Sequence, residues 1–388
     1  MIQEERLKKL LIELIQIDSL SRKERDIAVR LKKELEGLGG EVFIDDAGEK
    51  VRGSTGNLVA YFRGNAPGSQ PLLLSAHMDT VAPGEGVAPV LEGNILRSDG
   101  RTVLGGDDKS GIAIICEVLR VLREKRIPHS DIDVVFTICE EAGLLGAKCL
   151  DVSRLRARAG LVLDSDSVGL LFTRAPAANR MEFRLRGLAA HAGVCPEKGI
   201  SAIQVAADGI ARMRLGRIDE ETTANIGLVH GGTAVNIVPD SVLLKGEARS
   251  HSEEKLGRQT RHMLQCLEEA AAGRVLEIDG RCCRATVEAK IERDYDRMAL
   301  PDDSAIVELV RAAAHNLGME IQTRATGGGC DANVFNKKGL EVANLSTGMR
   351  EIHTVKEWLD LKDLYTSARI VLEILRLNAT RTSSAAGR

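Results

Sequence analysis

The sequence lacks any apolar run of about 18 residues, the length that would mark a membrane-spanning helix. Its start, MIQEERLKKLLIELIQIDSLS, is broken by charge every few positions, unlike the uninterrupted apolar core of a signal peptide. It reads as an amphipathic helix, and the expectation is a soluble cytoplasmic chain with no membrane partner. No dense Lys/Arg run occurs, and the formal net charge is −3, so nucleic acid is not expected as a partner either. No CxxC pair is present. The eight cysteines, at 116, 139, 149, 195, 266, 282, 283 and 330, are scattered and mostly lie in apolar runs. They read as reduced, mostly buried thiols rather than disulfides or a thiolate zinc cluster. There is no internal repeat. TRATGGGCDANVF (323–335) is glycine-rich before a helix, but without a strand–GxGxxG–helix frame no dinucleotide site is read there.

What is present is material for two cores. A chain of 388 residues with 44% hydrophobic and 28% charged residues exceeds what one domain usually needs. In the first half, strand-like GNLVAYFRG (56–64), PLLLSAHMD (71–79), DIDVVFTICE (131–140) and AGLVLDSD (159–166) alternate with helical patterns at 110–127 and 146–155. Apolar strands interleaved with helices predict an α/β domain. Near residue 178 the pattern changes. Alternating strands at 179–188, 223–232, 241–250 and 285–295, with helices at 200–214 and 252–272, give the order β-α-β-β-α-β of a ferredoxin-like sandwich. The α/β style returns with helices at 302–318 and about 359–377, and 378–388 reads as a loose tail. The expected organisation is a discontinuous α/β domain, 1–177 plus 297–388, with an inserted domain at 178–296.

Polar groups gather where the first domain's strands end, the place where open α/β sheets bind ligands. PLLLSAHMDT ends in His77 and Asp79; TVLGGDDKSG supplies Asp107 and Asp108 ahead of a helix. VVFTICEEAG supplies Glu140 and Glu141, and GLVLDSDS supplies Asp164 and Asp166. Singly, each has an ordinary reading: a loop histidine, a helix cap, a turn acid. Together they would destabilise one another unless a cation offset them. His with Asp and Glu is an N/O ligand set suited to zinc, with manganese or cobalt as substitutes. The two-residue spacing of His77 and Asp79 suits an imidazole held by a carboxylate. His353, in GMREIHTVKEWLDL, is by itself a loop histidine just ahead of a helix.

SAHMDTV, GGDDKSG, CEEAG, LDSD and IHTVKEW, in this order, together with GLAAHAG and GGTAVNIVPD in the insert, resemble a known family. They look like the co-catalytic di-zinc exopeptidases that include peptidase T, carboxypeptidase G, aminoacylase and succinyl-diaminopimelate desuccinylase. The peptidase T-like tripeptide aminopeptidases are the nearest match. That resemblance implies a zinc-exopeptidase-like catalytic domain, a mixed sheet flanked by helices, with an inserted ferredoxin-like lid or dimerisation domain. It implies two Zn2+, with His77 and Asp164 on one, Glu141 and His353 on the other, and Asp107 between them. Asp79 would orient His77, Glu140 would be the general base, and His191 would stabilise the oxyanion. Asn236 would line the cleft, and Arg249 would bind a substrate carboxylate. The partners implied are a short peptide substrate and a second copy of the chain. The alternative within the family is an amidohydrolase acting on N-acyl amino acids, or a carboxypeptidase. Cys330 departs from the Thr or Ser of many relatives, and packing is its simplest role.

Overall fold

The computed structural model describes residues 1–278 and 280–381. The described residues fall into two compact units. One comprises residues 1–174, 298–326 and 330–381, and the other residues 175–278 and 280–297 with 327–329. No described helix is long and apolar enough to cross a membrane.

Among the described residues, the first unit is built on a nine-stranded mixed sheet. Its centre is parallel: Leu72–His77 lies between Ile132–Thr137 and Ala159–Val162, and Glu341–Leu345 pairs with the far side of Ala159–Val162. All six residues of Leu72–His77 and of Ile132–Thr137 are buried, as expected of strands covered on both faces. Leu58–Phe62 and Glu41–Ile44 extend one side antiparallel. Gly106–Lys125, Leu361–Asn378, Ala305–Asn316 and Glu4–Ile15 contribute apolar faces to the same core. Parallel order brings the carboxyl ends of three adjacent strands, after His77, Thr137 and Val162, to one rim. Three of the four acidic motifs leave the sheet there.

The sequence pattern missed a small four-stranded sheet in this unit. It joins the hairpin Pro89–Glu92/Ile95–Ser98 to Met349–Arg350 and Trp358–Asp360. Trp358–Asp360 therefore lies between His353 and the final helix, so His353 is a loop residue and not the residue just ahead of a helix. Asp360 caps that helix, its side chain accepting the Lys362 N–H. Of the tail read at 378–388, residues 382–388 lie outside the described residues.

In the second unit, Ala177–Arg186, Thr222–Gly231, Ser241–Ser250 and Thr286–Tyr295 form an antiparallel sheet with Ser241–Ser250 and Ala177–Arg186 central. With helices Ala202–Arg212 and Glu253–Ala272 this is the ferredoxin-like β-α-β-β-α-β arrangement. Each helix starts at a serine N-cap: Ser201 accepts from the Gln204 N–H and Ser252 from the Lys255 N–H. Buried Leu256, Thr260, Met263 and Leu267 mark the apolar stripe of the longer helix.

All eight cysteines are free. Cys116, Cys139, Cys266 and Cys330 are buried, but Cys282 is exposed and the other three are half-buried, so fewer are sequestered than their apolar flanks predict.

Candidate metal centre

The two acid doublets on the rim of the first unit each divide their work, and backbone geometry decides how. In Asp107–Asp108, Asp108 takes the capping role: its Oδ1 accepts the Gly111 N–H at 3.1 Å, and its Oδ2 accepts the His77 N–H at 3.2 Å. Both residues have non-helical dihedrals, so the regular helix starts after them. Gly111 has no room for a side chain, because a Cβ there would lie 2.3 Å from the Leu163 carbonyl. That close approach brings the helix start against the strand end carrying Asp164. Asp107 is left facing the rim.

The Asp107 carboxylate spans two histidines. Its Oδ1 lies 3.0 Å from His77 Nε2 and its Oδ2 lies 3.2 Å from His353 Nε2. His77 Nε2 is also 3.9 Å from Asp164 Oδ1, and His353 Nε2 is 2.8 Å from Glu141 Oε1. Ligand atoms of His77, Asp107 and Asp164 all lie within 4.8 Å of one another, as do those of Asp107, Glu141 and His353. The two triads share Asp107. A third group of the same span joins His77, Glu140 and Glu141.

His77 Nδ1 sits 2.8 Å from the Asp79 main-chain carbonyl and 3.5 Å from that residue's carboxylate. The carbonyl, at hydrogen-bond distance, fixes the ring, so Nδ1 carries the proton and Nε2 faces Asp107 and Asp164. Besides facing His77, the Asp79 carboxylate holds the glutamate doublet. Its Oδ1 accepts the Glu140 N–H at 2.9 Å, and its Oδ2 accepts the Glu141 N–H at 3.2 Å and the Ser21 hydroxyl at 2.6 Å.

The glutamate doublet does not sit on a strand. The strand ends at Thr137, and Cys139 adopts a left-handed φ of 51°. A turn follows, in which the Glu140 carbonyl accepts the N–H groups of Gly143 and Leu144. The turn, not the pleat, therefore sets where Glu140 and Glu141 point.

Electrostatics mark the cluster as short of positive charge. Burial drives the Glu140 carboxyl well above its usual range, and Asp331, Glu141 and Asp79 reinforce the shift against the pull of His77. Burial does the same to Asp164, with Asp107 and Asp108 adding to it. Burial also works against charge on Asp107, yet its bonds to His353 and His77 hold it below its usual range. His353 is pushed up to about 10 by Asp107 and Glu141. Buried carboxyls pushed up beside histidines pulled up are what a divalent cation would offset, and the N/O donors suit zinc, manganese or cobalt. The residues present fit a metal pair.

Sequence reasoning missed the residues that hold these ligands by their main chains. Glu357 accepts the Gly105 N–H at 2.8 Å and the Asp107 N–H at 3.0 Å. Asn344 accepts the Asp164 N–H at 3.0 Å and donates to the Asp164 carbonyl at 2.6 Å and to Cys330 Sγ at 3.4 Å. Cys330 is buried beside Asn344. The one available signal was Glu357, four residues after His353 in an already suspect motif.

His191, Asn236 and Arg249 belong to the second unit. His191 and Asn236 are exposed on neighbouring loop segments: His191 forms an isolated bridge to Ile237, and the Ala192 N–H donates to the Asn236 carbonyl at 2.9 Å. Arg249 is half-buried on Ser241–Ser250, and its guanidinium donates twice to Glu247, at 2.9 and 3.0 Å.

Residues 73–377 match the model of Peptidase family M20/M25/M40. The chain is similar to protein YqjE of Bacillus subtilis strain 168, 41% identical over 376 residues, covering 97% of this chain and 99% of that protein. Among solved structures it is similar to aminopeptidase PepT from Bacillus cereus ATCC 10987, with a TM-score of 0.86 and 40% identity over 98% of this chain and 100% of that one. It is also similar to a tripeptidase from Staphylococcus aureus subsp. aureus Mu50, with a TM-score of 0.90 and 38% identity over 98% and 100%.

Proposed function

The chain belongs to Peptidase family M20/M25/M40, and from that membership we propose that it is a metal-dependent aminopeptidase releasing the N-terminal residue of short peptides, tripeptides above all. His77 and Asp164 would hold one zinc and Glu141 and His353 the other, with Asp107 in reach of both triads. Bound there, two ions supply Lewis acidity toward a scissile carbonyl and lower the pKa of water toward ~7.

Glu140 acts as general base, taking the proton of the attacking water and passing it to the leaving amine. Its carboxylate belongs to neither triad that shares Asp107, yet it lies within 4.8 Å of ligand atoms of His77 and Glu141. His191 supplies the oxyanion donor, Asn236 lines the cleft, and Arg249 takes the substrate carboxylate. The inserted unit, residues 178–296, serves as lid and dimerisation surface, and the enzyme works in the cytoplasm.

The observation that carries this reading is the single carboxylate, Asp107, shared by two histidine-bearing triads on one rim. Incubation with a tripeptide panel and with N-acyl amino acids, in the presence of zinc, manganese or cobalt, tests it. Release of free N-terminal residues is expected. Acyl release without tripeptide cleavage would move the chain to the deacylase reading.

A further inference from the structure

The turn joining the first two helices lies upstream of residues 73–377, and none of the site motifs includes it. It nevertheless reaches the rim of the sheet. Leu20 forms a parallel bridge to Thr80, and the Thr80 N–H donates to the Ser19 carbonyl at 2.9 Å. Near that contact, two polar side chains reach the residues beside and beneath the glutamate doublet, Asp79 and Cys139. The Ser21 hydroxyl donates to Asp79 Oδ2 at 2.6 Å, the carboxylate that holds the N–H groups of Glu140 and Glu141. Glu24 Oε1 accepts the Cys139 N–H at 3.1 Å and lies 3.3 Å from Cys139 Sγ.

Three consecutive main-chain N–H groups, of Cys139, Glu140 and Glu141, are therefore held by two carboxylates. Glu24 and Asp79 are both fully buried. Burying a carboxylate is costly unless it is hydrogen-bonded; Asp79 places both oxygens on the turn that aims the doublet, and Glu24 Oε1 is shared between the Cys139 N–H and the Arg22 N–H at 2.9 Å. Cys139 is the residue with left-handed φ, so Glu24 grips the segment at its least favourable backbone position. A glutamine in place of Glu24 would still offer an oxygen to the Cys139 N–H, whereas alanine would offer nothing.

We propose that Ser21 and Glu24 are positioning residues for the Glu140–Glu141 pair, acting through the main chain of residues 139–141. This rests on the roles given above to Glu140 and Glu141. A misplacement of about 1 Å in a reacting group can cost on the order of 100-fold in rate. Glu24→Ala is thus expected to lower kcat on a tripeptide about 10- to 100-fold with KM changed less than about threefold, and Glu24→Gln to recover most of it. Ser21→Ala, a milder change, is expected to lower kcat about threefold to tenfold.

The second readout is the visible absorption spectrum of the cobalt-loaded protein, which reports the ligand field at Glu141 without turnover. It is expected to change in Glu24→Ala and Ser21→Ala and to match wild type in Glu24→Gln. If wild type cleaves no peptide while the spectra behave this way, the positioning role stands and the peptidase reading falls. Wild-type kcat and spectrum in folded Glu24→Ala or Ser21→Ala would overturn the proposal, as would a Glu24→Gln variant as impaired as Glu24→Ala. Should Glu24→Ala fail to fold, Ser21→Ala and Glu24→Gln still decide the matter.

Discussion

The Asp79 carboxylate accepts the Glu140 main-chain N–H at 2.9 Å, and so couples the strand end that carries His77 to the turn that carries the glutamate doublet. Its other oxygen serves Glu141 and Ser21. In Asp79→Asn one of these oxygens becomes an amide that cannot accept. The variant is expected to lose about 1–3 kcal/mol of stability, the cost of an unsatisfied buried N–H. It should also lose about 10- to 100-fold in kcat. Thermal unfolding and steady-state kinetics measure both. Unchanged kcat in a destabilised protein would make Asp79 purely structural.

Metal stoichiometry should follow the triads. Glu141→Ala and His353→Ala each remove a donor from only one of the two triads that share Asp107, so each purified variant is expected to hold about one ion fewer per chain than wild type. Asp107→Ala removes the shared donor and is expected to weaken both positions. Elemental analysis after dialysis distinguishes these outcomes. Equal loss in all three variants would mean that the ions are not held as two separable sets.

The metal-free protein should lose stability as pH rises from about 5 to 8. Burial, with Asp107 adding to it, raises Glu357 from 4.5 to about 7, so the folded state binds its proton more tightly than the unfolded chain does. A raised folded-state pKa gives stability that is complete below the unfolded value and lost as pH passes through the folded one. The raised pKa values of Glu140 and Asp164 act in the same direction. Melting temperatures of chelated protein from pH 5 to pH 8 are expected to fall, and added zinc to restore them most at the high end, where the ligands are deprotonated. A metal-free melting temperature that climbs across this range would contradict the reading.

Arg249→Ala should discriminate between substrates. It is expected to raise KM for peptides with a free carboxylate by about 10-fold or more, the loss of a charge-assisted bidentate contact. C-terminally amidated peptides should be affected much less. In the structure the guanidinium is engaged by Glu247, so a substrate carboxylate has to share or displace that partner. Equal effects on acid and amide would place Arg249 in folding only.

Much of the site was legible because its signals are local. Apolar runs leading into His77, Glu140 and Asp164 announce both the sheet and its chemically active rim, and period-2 alternation in 179–188 and 241–250 announces the second sheet. What could not be read depends on main-chain hydrogen bonds between distant segments. Glu24 reaches Cys139 and Glu357 reaches Asp107 across long separations, and nothing in the local pattern of either stretch points to its partner. The hairpin at 89–98 is illegible for a different reason: its strands are four residues each, and Pro89–Glu92 is largely exposed, so the pair carries too short an apolar pattern to read. Asp79 was read by its spacing from His77, but the strand stops at His77, and the main chain turns the carboxylate to the doublet.

The most direct test concerns the doublet itself. In Glu140→Gln the amide retains the shape but cannot take a proton, while both Asp107-sharing triads are untouched. Metal content and tripeptide turnover are to be measured on the same preparation. The expected result is wild-type metal with turnover reduced by at least about 100-fold, the low end of what a general base contributes. Near-wild-type turnover at full metal content, or loss of metal as severe as in Glu141→Ala, would contradict the division of labour between Glu140 and Glu141.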